Sequence, residues 1–188
     1  MYKRQHISRL EALKLQTQQS LEVMFGNQLD SVDSAMRDIY TSGYYRTAFE
    51  LQKGVGVGWD FATLDDKTIS KVINKPWAAD GKNFSERIWG NRQKLVNELN
   101  TELTRNIVLG QDPQKAIDAI ARKMNTSKNN AGRLVMTEEA FFSSAAQKDC
   151  FAELDVEQFE IVATLDSHTS EICQEMDGKH FPMSQWEV

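Results

Sequence analysis

Apolar residues at helical spacing run through the middle of the chain and constrain its fold more than any other feature. A single apolar face begins at Phe84 and is continued, one or two turns apart, by Ile88, Leu95, Leu99, Leu103 and Ile107. Asn83, with Glu86 three residues later, has the pattern of an N-cap and its reciprocal partner. Gly110 is a natural C-terminal stop. The pattern predicts a long amphipathic helix between Asn83 and Gly110.

Helices are also predicted before this segment. Apolar stripes run over residues 7–24 and 29–40, with Gly26 and Gly43 as the expected interruptions. A third helical stretch covers residues 44–53 and leads into GVGVG, which lacks the spacing of a phosphate-binding fingerprint and is interpreted as a hinge. A short helix is expected over residues 65–74, ended by Pro76.

Two more helices are predicted after it. Asp112-Pro113 marks a new helix start, and a polar NTSKNN run separates this helix from a long one over about residues 127–153. Amphipathic helices of this kind are not stable alone and must pack on each other. The residues expected in the resulting core are Leu99, Leu103, Ile107, Ile120 and Leu134.

The spacing of apolar residues changes from a helical to an alternating pattern only in the tail. Phe159, Ile161, Ala163 and Leu165 alternate with more polar neighbours, which predicts a half-buried strand over residues 158–165. The Asp177-Gly178 pair indicates a tight turn, and KHFPM after it is typical of a returning strand.

The predicted fold class is therefore mainly α, a helical body of packed amphipathic helices with a small β-containing C-terminal unit. The body covers residues 1–155 and consists of N-terminal helices over 1–53, a Gly-rich hinge over 54–62 and a helical core over 63–155. The C-terminal unit, which resembles an incomplete knuckle, covers residues 156–188.

Composition excludes several classes of protein. A net charge of -5 argues against a general nucleic-acid coater, although a local basic face is compatible with it. With only two cysteines and no apolar leader at the N-terminus, a disulfide-stapled secreted domain is not expected. Since no apolar run has membrane-spanning length, we expect no membrane partner and folding in a cytoplasm.

Zinc-ligand residue types are concentrated in the stretch ATLDSHTSEICQEMDGKHF, residues 163–181. Asp166, His168, Cys173 and His180 are all acceptable to zinc, but paired ligands at short spacing are missing. We therefore expect Cys173 to be half of a knuckle, and no stoichiometric zinc to bind. Residues past Gly178 are expected to be loosely held, because an incomplete ligand set provides little free energy for ordering them.

Arg133 and Glu138 lie in the stretch RLVMTE and admit two interpretations. A catalytic Arg/Glu pair would make the protein an enzyme, metal-dependent or like an ADP-ribosyltransferase, with Glu138 or the 166–180 cluster as its site. The absence of a nucleophile and of a second carboxylate favours a structural polar network.

Residues 112–135 have a local basic bias. Two acidic and five basic residues from Asp112 to Arg133 give this segment a net charge of +3. A helix, a short polar turn and a second helix would form a helix-turn-helix-like DNA-binding module. The candidate DNA or partner contacts are Lys115, Arg122, Lys123, Lys128 and Arg133, and such binding is expected to be weak and salt-dependent.

Four stretches of the chain, taken in order, resemble the minor head proteins of tailed phages, the phage head morphogenesis proteins that include the Mu F-like group. They are YYRTAFELQKGVGVG, KPWAADGKNFSERIWGNRQKL, AGRLVMTEEAFFSSAAQKD and FEIVATLDSHTSEICQEMDGKHFP, and the resemblance covers roughly residues 40–188. The tail carries the most specific part, a strand followed by D-x-x-T, a Cys, D-G and an aromatic residue.

The resemblance implies a low-copy structural protein, without catalytic activity, in the interior of the phage head. It would dock on the portal protein and act in procapsid assembly and in DNA packaging or delivery, after assembly in the bacterial host cytoplasm. Scaffold protein, major capsid protein and phage DNA are further implied partners.

Family members continue past this point into a Pro-Pro, His and Cys-Arg segment, which would complete the knuckle. They also often carry Arg where this chain has His168. We expect that this sequence ends inside the motif, and that zinc would bind only if the chain continued past Val188.

Overall fold

The structure is a computed structural model that describes residues 2–56, 58, 60–61, 63–109 and 113–186, without the side chains of residues 2–9, 106–108, 113 and 116–117. Its first four elements are helices, α1 (Tyr2–Val55), α2 (Asp66–Ile73), α3 (Phe84–Leu109) and α4 (Pro113–Glu153). Then follow β1 (Gln158–Glu160), α5 (Glu171–Met176), β2 (His180–Pro182) and a 3-10 turn, Met183–Gln185. The mainly α fold class with a small β-containing C-terminal part is confirmed.

The start of α3 is fixed by the predicted capping box. The Asn83 Oδ1 atom accepts a hydrogen bond from the Glu86 backbone N–H at 3.0 Å, and Glu86 Oε2 accepts one from the Asn83 N–H at 3.0 Å. These two contacts satisfy donors that the first turn of a helix otherwise leaves without partners. The predicted stop at Gly110 and the predicted N-cap at Asp112 lie outside the described residues.

Helix α1 is continuous, so the predicted interruptions at Gly26 and Gly43 are wrong. Glycine within a helix costs only about 1 kcal/mol relative to alanine, which tertiary packing can offset. That packing comes from a buried face with helical spacing that comprises Leu21, Phe25, Val32, Met36, Tyr40, Tyr44 and Ala48. Of the predicted hinge over residues 54–62, Gly54 and Val55 still belong to α1, Gly56 has a φ of 70°, and residues 57, 59 and 62 are not described.

Helix α4 is also continuous from Pro113 to Glu153, which contradicts the predicted break at NTSKNN. The polar run contains no glycine or proline, and its side chains are accommodated on the helix surface. Thr126, for example, donates from its hydroxyl to the Arg122 carbonyl, one turn earlier, at 3.1 Å. The helix-turn-helix interpretation of residues 112–135 is therefore wrong, because the described part of that segment contains no turn.

The chain forms two compact units, and α1 and α4 each contribute to both. Unit 1 comprises Met1–Arg37 and Ser70–Ala140, and unit 2 comprises Asp38–Ile69 and Phe141–Val188. The core of unit 1 is built mainly from α1 and α3, and includes Phe25, Met36, Phe84, Ile88 and Leu99. The core of unit 2 includes Tyr40, Tyr44, Phe142, Ala146 and Cys150. The division at residue 155 inferred from the sequence stays a prediction.

The predicted core residues differ in burial. Leu99 and Leu103 are buried, whereas Ile120 and Leu134 are half-buried. Leu134 is less buried than expected because it lines an open groove of unit 1 rather than the core. The side chain of Ile107 lies outside the described residues.

The tail forms a two-stranded antiparallel sheet in which Phe159 faces Phe181. The pairing continues as far as Ile161, whose N–H donates to the Lys179 carbonyl at 3.0 Å. The strand predicted over residues 158–165 ends early because the Ala163 N–H is taken by the Asp177 carboxylate, at 2.8 Å, instead of a neighbouring strand.

Residues past Gly178 are better held than predicted, and Trp186 shows why. Its indole N–H donates to Ser144 Oγ at 3.3 Å, and its carbonyl accepts from Lys148 Nζ at 2.6 Å. Its ring centroid lies 5.5 Å from that of Phe151 and 4.8 Å from that of Phe159. The tail is therefore anchored on α4, and the expectation of a loosely held end is wrong for residues 179–186.

None of the helices in the described part of the chain carries an apolar stretch long enough to cross a membrane.

Candidate functional site

The carboxylate of Glu138 is completely buried in unit 1, and its partners differ from the one expected. Glu138 Oε1 accepts from the Arg87 guanidinium at 2.5 Å, and Oε2 accepts from the Trp77 indole N–H at 2.8 Å. Arg133 instead donates to the Asn130 side chain, at 2.6 Å. The structure thus places Glu138 in a polar network with Trp77, which precedes α3, and with Arg87 on α3.

Arg87 is the centre of this network. Besides Glu138, its guanidinium reaches Asp80 Oδ1 at 2.8 Å and lies 5.4 Å from the centroid of the Trp77 ring. The hydrogen bond to Asp80, together with both carboxylates, raises the pKa of Arg87, and Arg87 in turn holds the pKa of Asp80 below its usual range. A carboxylate enclosed in this way is not accessible to a substrate, so its arrangement fits a structural role. Nothing in the sequence pattern identifies Arg87 and Trp77 as its partners, because they lie far from it along the chain.

The D-x-x-T part of the tail motif forms a closed turn in unit 2. The Asp166 carboxylate accepts from the His168 N–H at 2.8 Å and lies 3.1 Å from the Thr169 hydroxyl. That hydroxyl also accepts from the Asp166 N–H at 2.7 Å and lies 2.8 Å from the Thr164 carbonyl. The His168 N–H, and then the Thr169 hydroxyl, hold the pKa of Asp166 below its usual range. Asp166 and Thr169 therefore satisfy each other's hydrogen-bonding groups and fix the conformation of the loop before α5.

The predicted zinc-ligand types are not brought together. Cys173 lies on α5 and is exposed, as are His168 and His180. Within the described ranges, no three His, Cys, Asp or Glu side chains converge in a way that could hold a metal ion. These residues alone do not fit a tetrahedral zinc site, and whether the protein binds zinc stays a prediction.

The second cysteine, Cys150, differs from Cys173 in its burial. It is buried in the core of unit 2, and burial raises the pKa of its thiol to about 11. A thiol in this environment behaves as a small apolar side chain, so Cys150 is not a candidate nucleophile.

The five predicted basic contacts lie on the single helix α4 but do not share one face. Lys115, Arg122 and Arg133 are separated by seven and eleven residues, which places them on the same side. Lys128 is thirteen residues from Lys115 and projects from a different side. Lys123 makes an ion pair with Glu98 of α3 at 3.4 Å.

Three large apolar side chains in the tail are exposed. The sequence pattern did not single out two of them, and it placed the third, Leu165, on the buried face of the predicted strand. They are Val162, Leu165 and Ile172, with exposed fractions of 80%, 58% and 73%. Exposed apolar side chains mark a surface that contacts another protein where they form a contiguous patch. Met136 of unit 1 is similarly exposed, at 71%.

Comparison with known proteins gives one family and one curated relative. The sequence pattern of the family described as "Phage Mu protein F like protein" matches residues 97–188. The chain is also 28% identical over 151 residues to the NAD(+)--arginine ADP-ribosyltransferase EFV of Enterococcus faecalis. That match covers 76% of this chain but only 30% of the relative. None of the solved structures matches the chain.

The family match confirms the resemblance inferred from the sequence. It begins at residue 97, and so covers less of the chain than the resemblance did, which began near residue 40. It includes α4, the D-x-x-T turn and the β1–β2 sheet.

Proposed function

We propose that this chain, in which residues 97–188 form a Phage Mu protein F like segment, is a structural minor protein of a phage head. The single observation that carries the proposal is the family match, which points to head morphogenesis. In this role the protein lies in the head interior, docks on the portal protein and takes part in procapsid assembly and in DNA packaging or delivery. Scaffold protein and major capsid protein are further partners within the proposal.

The exposed apolar residues of the tail are the proposed docking surface for the portal. Val162, Leu165 and Ile172 all lie within the segment that matches the family. They are exposed because the loop after β1 and helix α5 bury little apolar surface of their own; no residue of α5 is buried. Covering them with a partner would remove this surface from water, which favours association.

We further propose that the protein acts without catalysis. Two features support this: the carboxylate of Glu138 is enclosed by Arg87 and Trp77, and Cys173 lacks an oriented base within hydrogen-bonding distance in the described part of the chain. The transferase activity belongs to the named relative, of which this chain spans under a third. Incubation with NAD and an arginine-containing acceptor should give no ADP-ribosylated product; product formation that Glu138→Gln abolishes would contradict the proposal.

Co-expression with the portal protein of the same phage tests the docking proposal. A tagged chain should recover the portal protein, and the double variant Val162→Ser/Ile172→Ser should recover about tenfold less or lower, as expected when central apolar contacts are lost. Met136→Ser is the matched control, since it removes an equally exposed apolar side chain from unit 1. Failure to recover the portal protein, or equal recovery with the double variant, would contradict the proposed docking surface.

A further inference from the structure

Within the described residues, strand β1 pairs with β2 alone and leaves its other edge free. The Ile161 N–H donates to the Lys179 carbonyl at 3.0 Å, and the Ile161 carbonyl accepts from the Gly178 N–H at 2.8 Å. Alternate residues of an antiparallel strand direct their backbone groups to opposite edges. The N–H and C=O groups of Gln158 and Glu160 therefore point away from β2, and no described residue forms a hydrogen bond with them.

The free edges of β1 and β2 differ in how well they are protected against further pairing. Proteins commonly protect an edge strand with proline or lysine. Strand β2 ends in Pro182, which has no N–H to donate, and Lys179 precedes the strand. Strand β1 contains neither residue type, and Val162, just past its end, is exposed. The β1 edge is therefore the one that can accept another strand.

An open groove adjoins β1 in unit 2. Its lining residues come from β1 and the residue after it, from α4, and from the 3-10 turn and the residue after it: Phe159, Glu160, Ile161, Ser144, Gln185 and Trp186. No residue of β2 is among them. Side chains of a strand alternate between the two faces of a sheet. A segment paired with β1 can therefore direct every second side chain toward the aromatic rings of this groove.

The segment around β1 is strongly acidic. Residues 149–178 carry nine of the 27 acidic side chains of the protein and none of its 22 lysines and arginines. Glu157, next to β1, and Glu160 within it are exposed and make no ion pair with any described residue. A basic segment that pairs with this edge therefore meets opposite charge, whereas an acidic segment or a nucleic acid is repelled.

We propose that this surface binds an extended, basic peptide segment, which pairs with β1 as a third strand and directs alternate apolar side chains into the groove. The inference rests on the proposed function and deepens it, since it states the chemistry of the portal segment that docks. Strand pairing supplies main-chain hydrogen bonds, the groove selects alternate apolar side chains, and the carboxylates select lysine or arginine. A helical partner fits less well, because it would leave the outward backbone groups of Gln158 and Glu160 without partners.

Short overlapping peptides that cover the portal protein test the inference, with fluorescence anisotropy on the full chain as the measurement. Binding should be confined to peptides that are basic and carry alternating apolar residues. In a peptide that binds, N-methylation at every second residue should weaken binding at least about tenfold, because it removes main-chain donors that pair with β1. N-methylation at the intervening residues should have little effect.

A proline substitution tests the contribution of the strand edge. Gln158→Pro removes one outward N–H without a change of charge, which an edge strand tolerates, and should weaken peptide binding at least about tenfold. His180→Pro is the matched control, since His180 lies opposite Glu160 and its N–H points to the other edge of the sheet. It should bind the peptide normally. The N-methylated peptides use the unaltered chain, so they decide the matter even if a proline variant does not fold.

A charge variant tests the basic character of the segment. Glu157→Gln/Glu160→Gln should weaken binding about threefold or more at low salt, and less at high salt, because exposed ion pairs are screened. Glu50→Gln/Glu139→Gln is the matched control, since it removes two exposed carboxylates outside residues 149–178. It should leave binding unchanged.

Equal effects of N-methylation at all positions, or equal binding by acidic and basic peptides, would overturn the inference. Recovery of the whole portal protein, with none of its peptides bound, would overturn it as well, because a folded surface would then make the contact. That result would leave the proposed function standing. If the unaltered chain recovers no portal protein, the proposed function fails, and this inference fails with it.

Discussion

At the scale of single residues, the most consequential feature is the buried carboxylate of Glu138. The sequence indicated that this residue takes part in a polar network, because no nucleophile accompanies it. It did not indicate the partners, since Arg87 and Trp77 are brought to it by the packing of unit 1 rather than by a local motif. Contacts made across a folded core have no periodic or short-range signature that sequence reading can use.

Glu138→Gln should destabilise the protein by about 3 kcal/mol, because the substitution leaves the partly buried Arg87 guanidinium without one of its two anionic partners. Glu139→Gln is the control, since the neighbouring carboxylate is exposed. Urea unfolding monitored by circular dichroism gives the free energy of unfolding of both variants. Equal, small losses for the two variants would show that the network contributes nothing beyond a surface charge.

The two cysteines should react with thiol reagents at very different rates at neutral pH. Cys173 is exposed on α5, whereas burial raises the pKa of Cys150 to about 11, so that its reactive thiolate is scarce. One thiol per chain should react rapidly with a chromogenic disulfide, and Cys173→Ser should remove that fast phase. Rapid reaction of both thiols in the folded protein would contradict the burial of Cys150. Denaturant should expose the second thiol and so provides the positive control.

At the scale of elements, local signals predicted helix positions better than helix breaks. The bounds of α2 and the capped start of α3 follow from the sequence, since capping and periodicity act over a few residues. The expected breaks at Gly26, Gly43 and NTSKNN were wrong, because packing along α1 and α4 outweighs a weak local propensity. The strand was predicted over residues 158–165 but covers only Gln158–Glu160. Its pairing with β2 ends early because the Ala163 N–H donates to the Asp177 carboxylate instead of a strand.

The two interior glycines of α1 should respond differently to substitution. An added Cβ at Gly26 meets nothing within 4 Å, so Gly26→Ala should stabilise the protein by about 1 kcal/mol through helix propensity. At Gly43 an added Cβ would lie 3.2 Å from the Ala146 Cβ, so Gly43→Ala should gain less. Gly43→Val should destabilise by about 1–3 kcal/mol through overpacking. Thermal unfolding of the three variants provides the measurement, and a stabilising Gly43→Val would show that α1 and α4 do not pack closely at this point of unit 2.

At the scale of the whole molecule, the fold class predicted from the sequence is confirmed, and so is the resemblance to the Mu F-like group, over residues 97–188. The division predicted at residue 155 stays a prediction. Each unit combines segments from two separate parts of the chain, and such a division leaves no boundary in composition or charge. For the candidate site, the sequence indicated residue types but not their arrangement. The tail motif that suggested a metal knuckle forms a hydrogen-bonded turn and an anchored sheet. Val162 and Ile172, which are exposed beside it, have no distinctive sequence pattern, and Leu165 was expected on the buried face of a strand.

The central claim is that the protein is a structural component of the phage head. Quantitative mass spectrometry of gradient-purified particles tests it most directly, using a phage with a tagged copy of this gene and a matched phage that lacks the portal gene. We expect the protein in purified heads at a few copies per particle, protected from added protease, and lost from particles assembled without the portal. Its absence from purified heads, with all of it remaining in the cell lysate, would contradict the account.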